Sequence, residues 1–83
     1  MSFTVVWQAD AERELADLWL ASVDRKAITG AANAIDRRLR FDPENDGESR
    51  PNGRRILLCK PLGVIYRVLP SDRIVQVLQV WVF

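Results

Sequence analysis

Residues 54–68 read RRILLCKPLGVIYRV, and the rest of the chain is best understood from this stretch. Aliphatic and aromatic residues on both sides of Pro61-Leu62-Gly63 predict two strands joined by a turn. Alternate residues of a strand share a face, so the first arm divides into two sets. One set is Arg55, Leu57 and Cys59, and the other is Arg54, Ile56, Leu58 and Lys60. The stretch therefore predicts a hairpin that carries basic side chains among its apolar ones.

The C-terminal part of the chain is basic, although the whole chain has a formal net charge of only +1. Residues 50–83 contain six basic side chains against one acidic one, a balance of +5, which leaves −4 for residues 1–49. This asymmetry predicts that the C-terminal part meets an anionic partner, either nucleic acid or an acidic protein segment. The candidate contact residues are Arg50, Arg54, Arg55, Lys60, Arg67 and Arg73.

The composition excludes several kinds of site. The 83-residue chain has one cysteine and no histidine, so an internal disulfide and a Cys/His nucleophile pair are impossible. We expect no metal and no cofactor, and we expect Cys59 to be a small buried apolar residue. No apolar run approaches the ~20 residues of a membrane span, and the N-terminus lacks the signal-peptide pattern, which predicts a cytoplasmic protein.

Two helices are predicted in the N-terminal half, after a short strand at Phe3–Trp7. The first helix begins at an Asp10 N-cap and buries Ala11, Leu15, Leu18 and Trp19. The second runs from about Arg25 to Arg40, ends before Pro43, and buries Ile28, Ala31, Ala32, Ile35 and Leu39. The short connection between them predicts an antiparallel pair.

The remaining elements are a loop, a second turn and a last strand. Residues 41–53 are rich in Asp, Pro, Asn, Gly and Ser, which predicts a loop. A turn at Pro70–Asp72 precedes a strand at Ile74–Phe83. That strand is apolar on both faces apart from two glutamines, as expected of a strand inside its sheet with cover on both sides.

The order of these elements, together with several short segments, resembles the toxins of the RelE/ParE superfamily. The segments are Asp17-Leu18-Trp19, Asp42-Pro43, Gly47–Arg50, Arg54–Ile56, Gly63–Val68 and Val77–Trp81. The resemblance covers nearly the whole chain. It implies a single small α+β domain at residues 1–83, in the order β-α-α-β-β-β, with a helical hairpin packed on a mainly antiparallel sheet.

The resemblance also implies a function as the toxin of a bacterial type II toxin–antitoxin pair. Such a toxin arrests growth and is neutralised in a hetero-oligomer by an antitoxin, which binds it as a helix in an apolar groove or as an added strand. The residues that we expect to contact the antitoxin are Leu18, Trp19, Trp81 and Phe83.

The resemblance leaves the target of the toxin, and hence enzymatic activity, open. RelE-like members cleave messenger RNA in the ribosomal A site with basic residues, and the positions that match best are Arg54, Arg55 and Lys60. Gly63 and Val64 stand where an arginine is usual, and the chain stops at Phe83, before the usual C-terminal segment. ParE-like members inhibit DNA gyrase without catalysis. The third alternative is a degenerate toxin that is kept as an interaction module. Tyr66 matches an aromatic position of the family, and we expect its side chain to pack in the core.

Overall fold

Two helices separate the first strand from the other four in the computed structural model, which describes residues 2–83. The helices are α1 (Ala9–Ala21) and α2 (Arg25–Phe41), and the strands are β1 (Thr4–Trp7), β2 (Glu48–Arg50), β3 (Arg54–Cys59), β4 (Leu62–Leu69) and β5 (Ile74–Val82). The sheet order is β1-β5-β4-β3-β2, with β1 parallel to β5 and every other pair antiparallel. The predicted α+β architecture is confirmed.

The core lies between one face of the sheet and the two helices. The strands contribute Leu57, Leu62, Val64, Tyr66, Val75 and Val77, and α2 contributes Ile28, Ala31, Ile35 and Leu39. The predicted apolar stripe of α2 is thus confirmed. α1 buries Ala11 fully and packs Leu15 and Leu18 against the core, whereas Trp19 stays 38% exposed. Within residues 2–83, neither helix is long and apolar enough to cross a membrane.

The two helices begin in different ways. The prediction of Asp10 as an N-cap is wrong, because α1 begins at Ala9 and its N-cap, Gln8, makes no side-chain hydrogen bond. Asp10 lies instead in the first turn, where a carboxylate still favours the positive end of the helix dipole. The N-cap of α2 is Asp24, whose carboxylate accepts from the Ala27 amide at 3.1 Å.

The hairpin turn is shorter than predicted. β3 ends at Cys59 and β4 begins at Leu62, so Gly63 lies inside a strand, directly opposite Trp81. A Cβ atom at this position would lie 2.6 Å from the indole ring. Gly63 is therefore required by the close approach of that ring and not by the turn.

One short strand was absent from the prediction. Residues 48–50 lie in the predicted loop, yet they pair with β3 and form the edge strand β2. Gly47, immediately before it, has a φ of +68°, and a Cβ there would lie 2.3 Å from the carbonyl oxygen of Ile56. The backbone just before β2 therefore approaches β3 so closely that only glycine fits.

Replacing Gly47 with alanine should destabilise the protein more than replacing Gly53. Both glycines have positive φ, but a Cβ at Gly53 would meet nothing within 4 Å. We expect Gly53→Ala to cost about 1 kcal/mol from backbone strain alone and Gly47→Ala at least ~2 kcal/mol, because its Cβ also pushes β2 from β3. Urea denaturation measures both, and equal losses would contradict this account.

Candidate anion-binding face

Three arginines lie side by side on the sheet face that the helices leave open. The β-ladder places Arg50 opposite Arg54, Arg54 opposite Arg67, and Arg67 opposite Gln76. Leu57 of β3 is buried under the helices, so Arg54, three residues away, projects from the opposite face. Directly paired residues share a face. Arg50, Arg54 and Arg67, which we call the arginine row, therefore occupy neighbouring positions on three strands, and all three are exposed.

The arginine row concentrates positive charge. Neighbouring strands are about 4.8 Å apart, so the three side chains start within about 10 Å of one another. Like charges directly opposite on a sheet repel. Local acceptors engage each guanidinium: the Glu48 carboxylate at 3.3 Å for Arg50, the Asn52 carbonyl at 3.2 Å for Arg54, and the Gln76 amide oxygen at 2.5 Å for Arg67. The row is thus suited to an anion that bridges several guanidinium groups.

Beyond the arginine row the same face becomes apolar. Ile56 and Ile65 are paired next to it, followed at the far end by Leu58, Gly63 and Trp81. Leu58 is 53% exposed and Phe83 is 49% exposed. We call Leu58, Trp81 and Phe83 the aromatic end. The open face thus has a cationic part and an apolar part within one sheet.

The structure separates the basic residues that were grouped from the sequence. Lys60 follows the far end of β3, six residues or about 20 Å from Arg54, and its Nζ lies 5.8 Å from the Phe83 ring. Arg73 lies beyond β4, with its guanidinium 4.5 Å from the Phe3 ring. Lys60 and Arg73 therefore lie outside the arginine row. Of the six candidate contacts, the structure brings together Arg50, Arg54 and Arg67.

Arg55 belongs to the helix-facing side and holds a loop. Its Nε donates to the Asp46 carbonyl at 3.0 Å and its Nη2 to the Gly47 carbonyl at 3.1 Å. The buried Tyr66 hydroxyl lies 2.8 Å from the Pro43 carbonyl and 2.6 Å from that of Asp46, so it can donate to either. The prediction that Tyr66 serves packing is confirmed, with this hydrogen bonding in addition.

A carboxylate completes this arrangement. Asp46 accepts from Arg38 of α2 twice, at 2.6 and 3.0 Å. These hydrogen bonds hold the pKa of the Asp46 carboxyl below its usual range, although partial burial acts in the opposite direction. Burial raises the pKa of Tyr66, which keeps its hydroxyl protonated as a donor. We call Arg38, Asp46, Arg55 and Tyr66 the loop clamp.

Glu48 lies beside the arginine row and was not among the candidate residues predicted from the sequence. It lies on β2 two residues before Arg50, on the same face, with its carboxylate 3.3 Å from the Arg50 guanidinium. Its side chain is 75% exposed and therefore accessible to a ligand. The alternation of Glu48, Ser49 and Arg50 was the available signal, but a polar three-residue strand has no apolar pattern by which to recognise it.

A second surface lies between the helices. A cleft of about 490 Å³ is lined mainly by apolar side chains, among them Leu15, Trp19, Leu20 and Ile28. Trp19 donates from its indole nitrogen to the Thr29 hydroxyl at 3.1 Å. Of the predicted antitoxin contacts, Trp19 lines this cleft, Leu18 packs against the core, and Trp81 and Phe83 lie at the aromatic end of the open face.

Comparison with known proteins supports the fold. No protein-family model and no curated protein matches the sequence. A chain of the RelBE2 toxin–antitoxin complex of Mycobacterium tuberculosis superposes with a TM-score of 0.82 and 17% identity, covering 100% of this chain and 93% of that one. A chain of the chromosomal ParDE toxin–antitoxin system of P. aeruginosa superposes with a TM-score of 0.77 and 17% sequence identity. This match covers 96% of this chain and 95% of that one. The predicted RelE/ParE-like fold is thereby confirmed.

The contribution of Asp46 to stability should disappear in acid. Because the pKa of Asp46 is lower in the folded than in the unfolded state, its contribution is present above about pH 4 and is lost as pH falls through the folded pKa. We expect Asp46→Asn to lower the free energy of unfolding by about 1 kcal/mol at pH 7, because the ion pair is partly exposed to solvent. At pH 2 the substitution should leave the free energy of unfolding unchanged. Urea denaturation across this pH range tests this, with the exposed Asp17→Asn as the control. A cost that does not change with pH would show that the charge of Asp46 is irrelevant.

Proposed function

We propose that this protein is the toxin of a type II toxin–antitoxin pair and that it arrests growth in the cytoplasm by binding and cleaving messenger RNA on the ribosome. The RelE/ParE-like fold supports the toxin assignment. The observation that carries the RNA assignment is the arginine row, three exposed guanidinium groups in neighbouring positions on an open sheet face. A phosphate backbone is an anion that such a row fits, because guanidinium groups bind phosphate oxygens in pairs and stay protonated.

The rest of the open face supports single-stranded RNA as the ligand. Proteins that bind single strands combine a cationic surface for the backbone with aromatic side chains for the bases. Here the arginine row supplies the cationic surface for the backbone, and Trp81 and Phe83 of the aromatic end supply the aromatic side chains for the bases. From the row to Trp81 is four residues along β4, or about 13 Å. The two parts of the face are therefore close enough to contact one short strand.

Glu48 supplies the proton acceptor that arginine cannot. In the proposed reaction the Glu48 carboxylate accepts the proton of a ribose 2′-hydroxyl, whose oxygen attacks the adjacent phosphorus. The bond from phosphorus to the 5′ oxygen breaks, and that oxygen takes a proton from water. The arginine row stabilises the negative charge that develops on the phosphate. Of the catalytic residues proposed from the sequence, Arg54 has a role in this step, whereas Arg55 and Lys60 lie outside it.

Inhibition of DNA gyrase without catalysis is the second candidate. It is favoured by the similarity to a chain of the ParDE system, which covers 96% of this chain. The same cleft between α1 and α2, with Trp19 in its wall, would receive the antitoxin in either case. A degenerate toxin that serves only as an interaction module would have the same fold and no effect on growth.

Induction of the chain without an antitoxin should stop protein synthesis before DNA synthesis. Changing Arg50, Arg54 and Arg67 together to alanine should abolish the arrest, because each guanidinium contacts phosphate. The matched control changes Arg13, Lys26 and Arg37 to alanine, which removes the same charge from the helices and should preserve the arrest. Incorporation of labelled methionine and thymidine distinguishes the outcomes. Earlier failure of DNA synthesis would identify a gyrase inhibitor, and undisturbed growth would identify an interaction module.

Glu48→Gln should abolish RNA cleavage and preserve RNA binding. Loss of a general base typically lowers a rate by about 10²–10⁴-fold, whereas the glutamine keeps the shape of the side chain. Cleavage is measured on programmed ribosomes by primer extension. Glu44→Gln, a neighbouring exposed carboxylate, is the control and should cleave normally. Normal cleavage by Glu48→Gln would exclude Glu48 as the base.

A further inference from the structure

We infer that the loop clamp positions Arg50 in the arginine row, so that Tyr66, Arg55, Asp46 and Arg38 control phosphate binding on the opposite face of the sheet. The inference rests on the proposed function of the row as an RNA-binding surface. None of these four side chains needs to touch the ligand. They act through the backbone that leads into β2, and they are therefore positioning residues.

The contacts that β2 makes through its own residues are too few to fix its position in the sheet. It is three residues long, all three are exposed, and it pairs on one side only, with β3. Its sequence, Glu-Ser-Arg, provides no apolar side chain to anchor it in the core. The turn after it contains Asn52 and Gly53, both at positive φ, and has no buried residue. Short exposed edge segments with so few contacts open at low free-energy cost.

The arginine row itself pushes β2 away from the sheet. Arg50 lies directly opposite Arg54 in the β2–β3 ladder, and like charges in this position are destabilising. The row therefore requires an attachment that does not depend on its own side chains. In the absence of anion, that attachment must come from the backbone or from the helix-facing side of the sheet.

The loop clamp is such an attachment, and it acts on the residues that lead directly into β2. Tyr66 and Arg55 bind the carbonyls of Pro43, Asp46 and Gly47, all within seven residues of Arg50. Tyr66 belongs to β4 and is fully buried, so it cannot move with the loop. Arg38 adds the Asp46 carboxylate from α2. The start of β2 is thus fixed to two interior strands and to a helix.

This attachment determines which way Arg50 points. Side chains alternate between the two faces along a strand, so a shift of β2 by one residue would turn Arg50 to the helix-facing side. Ser49 would then occupy its place in the row. By fixing Asp46 and Gly47, the clamp fixes the register of β2 against β3. Arg50 is then already ordered before the ligand binds, so that binding loses less conformational entropy. Loss of the clamp should therefore weaken RNA binding in the same way as loss of the Arg50 side chain.

The test is a double-mutant cycle between Tyr66→Phe and Arg50→Ala. Tyr66→Phe removes the hydroxyl and keeps the ring in the core. Binding is measured with a fluorescent 12-nucleotide 2′-O-methyl oligouridylate, which cannot be cleaved through its 2′ oxygen, at several salt concentrations. Far-UV circular dichroism and urea denaturation confirm that each variant is folded under the binding conditions. Arg55→Lys, which keeps the charge but loses the paired donors, provides a second clamp variant that leaves the core untouched.

We expect each single change to weaken binding about fivefold to tenfold. Each should also lower the slope of log affinity against log salt by about 0.7, the loss of one phosphate contact on a single strand. In the Arg50→Ala background, Tyr66→Phe and Arg55→Lys should have no further effect. A merely structural role for the clamp would not change the salt slope, and its effect would add to that of Arg50→Ala.

Two negative results have different meanings. If Arg50→Ala, Arg54→Ala and Arg67→Ala all leave the affinity unchanged, the arginine row is not the RNA site, and the proposed function fails together with this inference. If they weaken binding while the clamp variants bind normally, or weaken it equally with and without Arg50, the inference alone is wrong. Arg37→Ala, an exposed basic residue of α2 outside the open face, is the matched control and should bind as the unaltered protein does.

Discussion

The burial of one set of strand side chains beneath two helices is the constraint on which the rest of the structure depends. Leu57, Val64 and Val77, on three neighbouring strands, are almost completely excluded from solvent. Because strand side chains alternate, burying this set places the intervening residues on the open face. The arginine row and the aromatic end are thus direct consequences of how the core is packed. A change in register that exposed the core would also dismantle the row.

The regular, amphipathic parts of the fold could be predicted from the sequence, because periodicity reports burial directly. The apolar stripe of α2 is an example, since all four of its fully buried residues recur at helical spacing. The misassigned positions were those where a residue has several common roles. A proline and a glycine separated by one residue, as in Pro61-Leu62-Gly63, are typical of a turn, but here Gly63 leaves room for the ring of Trp81. Asp10 has the chemistry of an N-cap, but the N-cap of α1 is Gln8, two residues earlier.

The candidate site could be predicted only in part, for a related reason. Alternation along β3 already placed Arg54 and Arg55 on opposite faces, and it correctly separated an arginine of the open face from one bound to the loop. What alternation cannot give is the pairing of strands, which determines that Arg54 stands beside Arg67 and far from Lys60. Glu48 and Arg50 escaped recognition as a strand because β2 is held by contacts of its neighbours and not by its own sequence.

The charged character of β2 has a consequence for the protein in concentrated solution. The outer edge of a sheet presents unpaired backbone groups, and long apolar edges recruit strands from other molecules. β2 offers only three residues, and two of them, Glu48 and Arg50, are charged. A second copy that paired with this edge in parallel register would place Arg50 against Arg50 and Glu48 against Glu48. The short, charged strand at this edge is therefore a poor template for the addition of strands from other molecules.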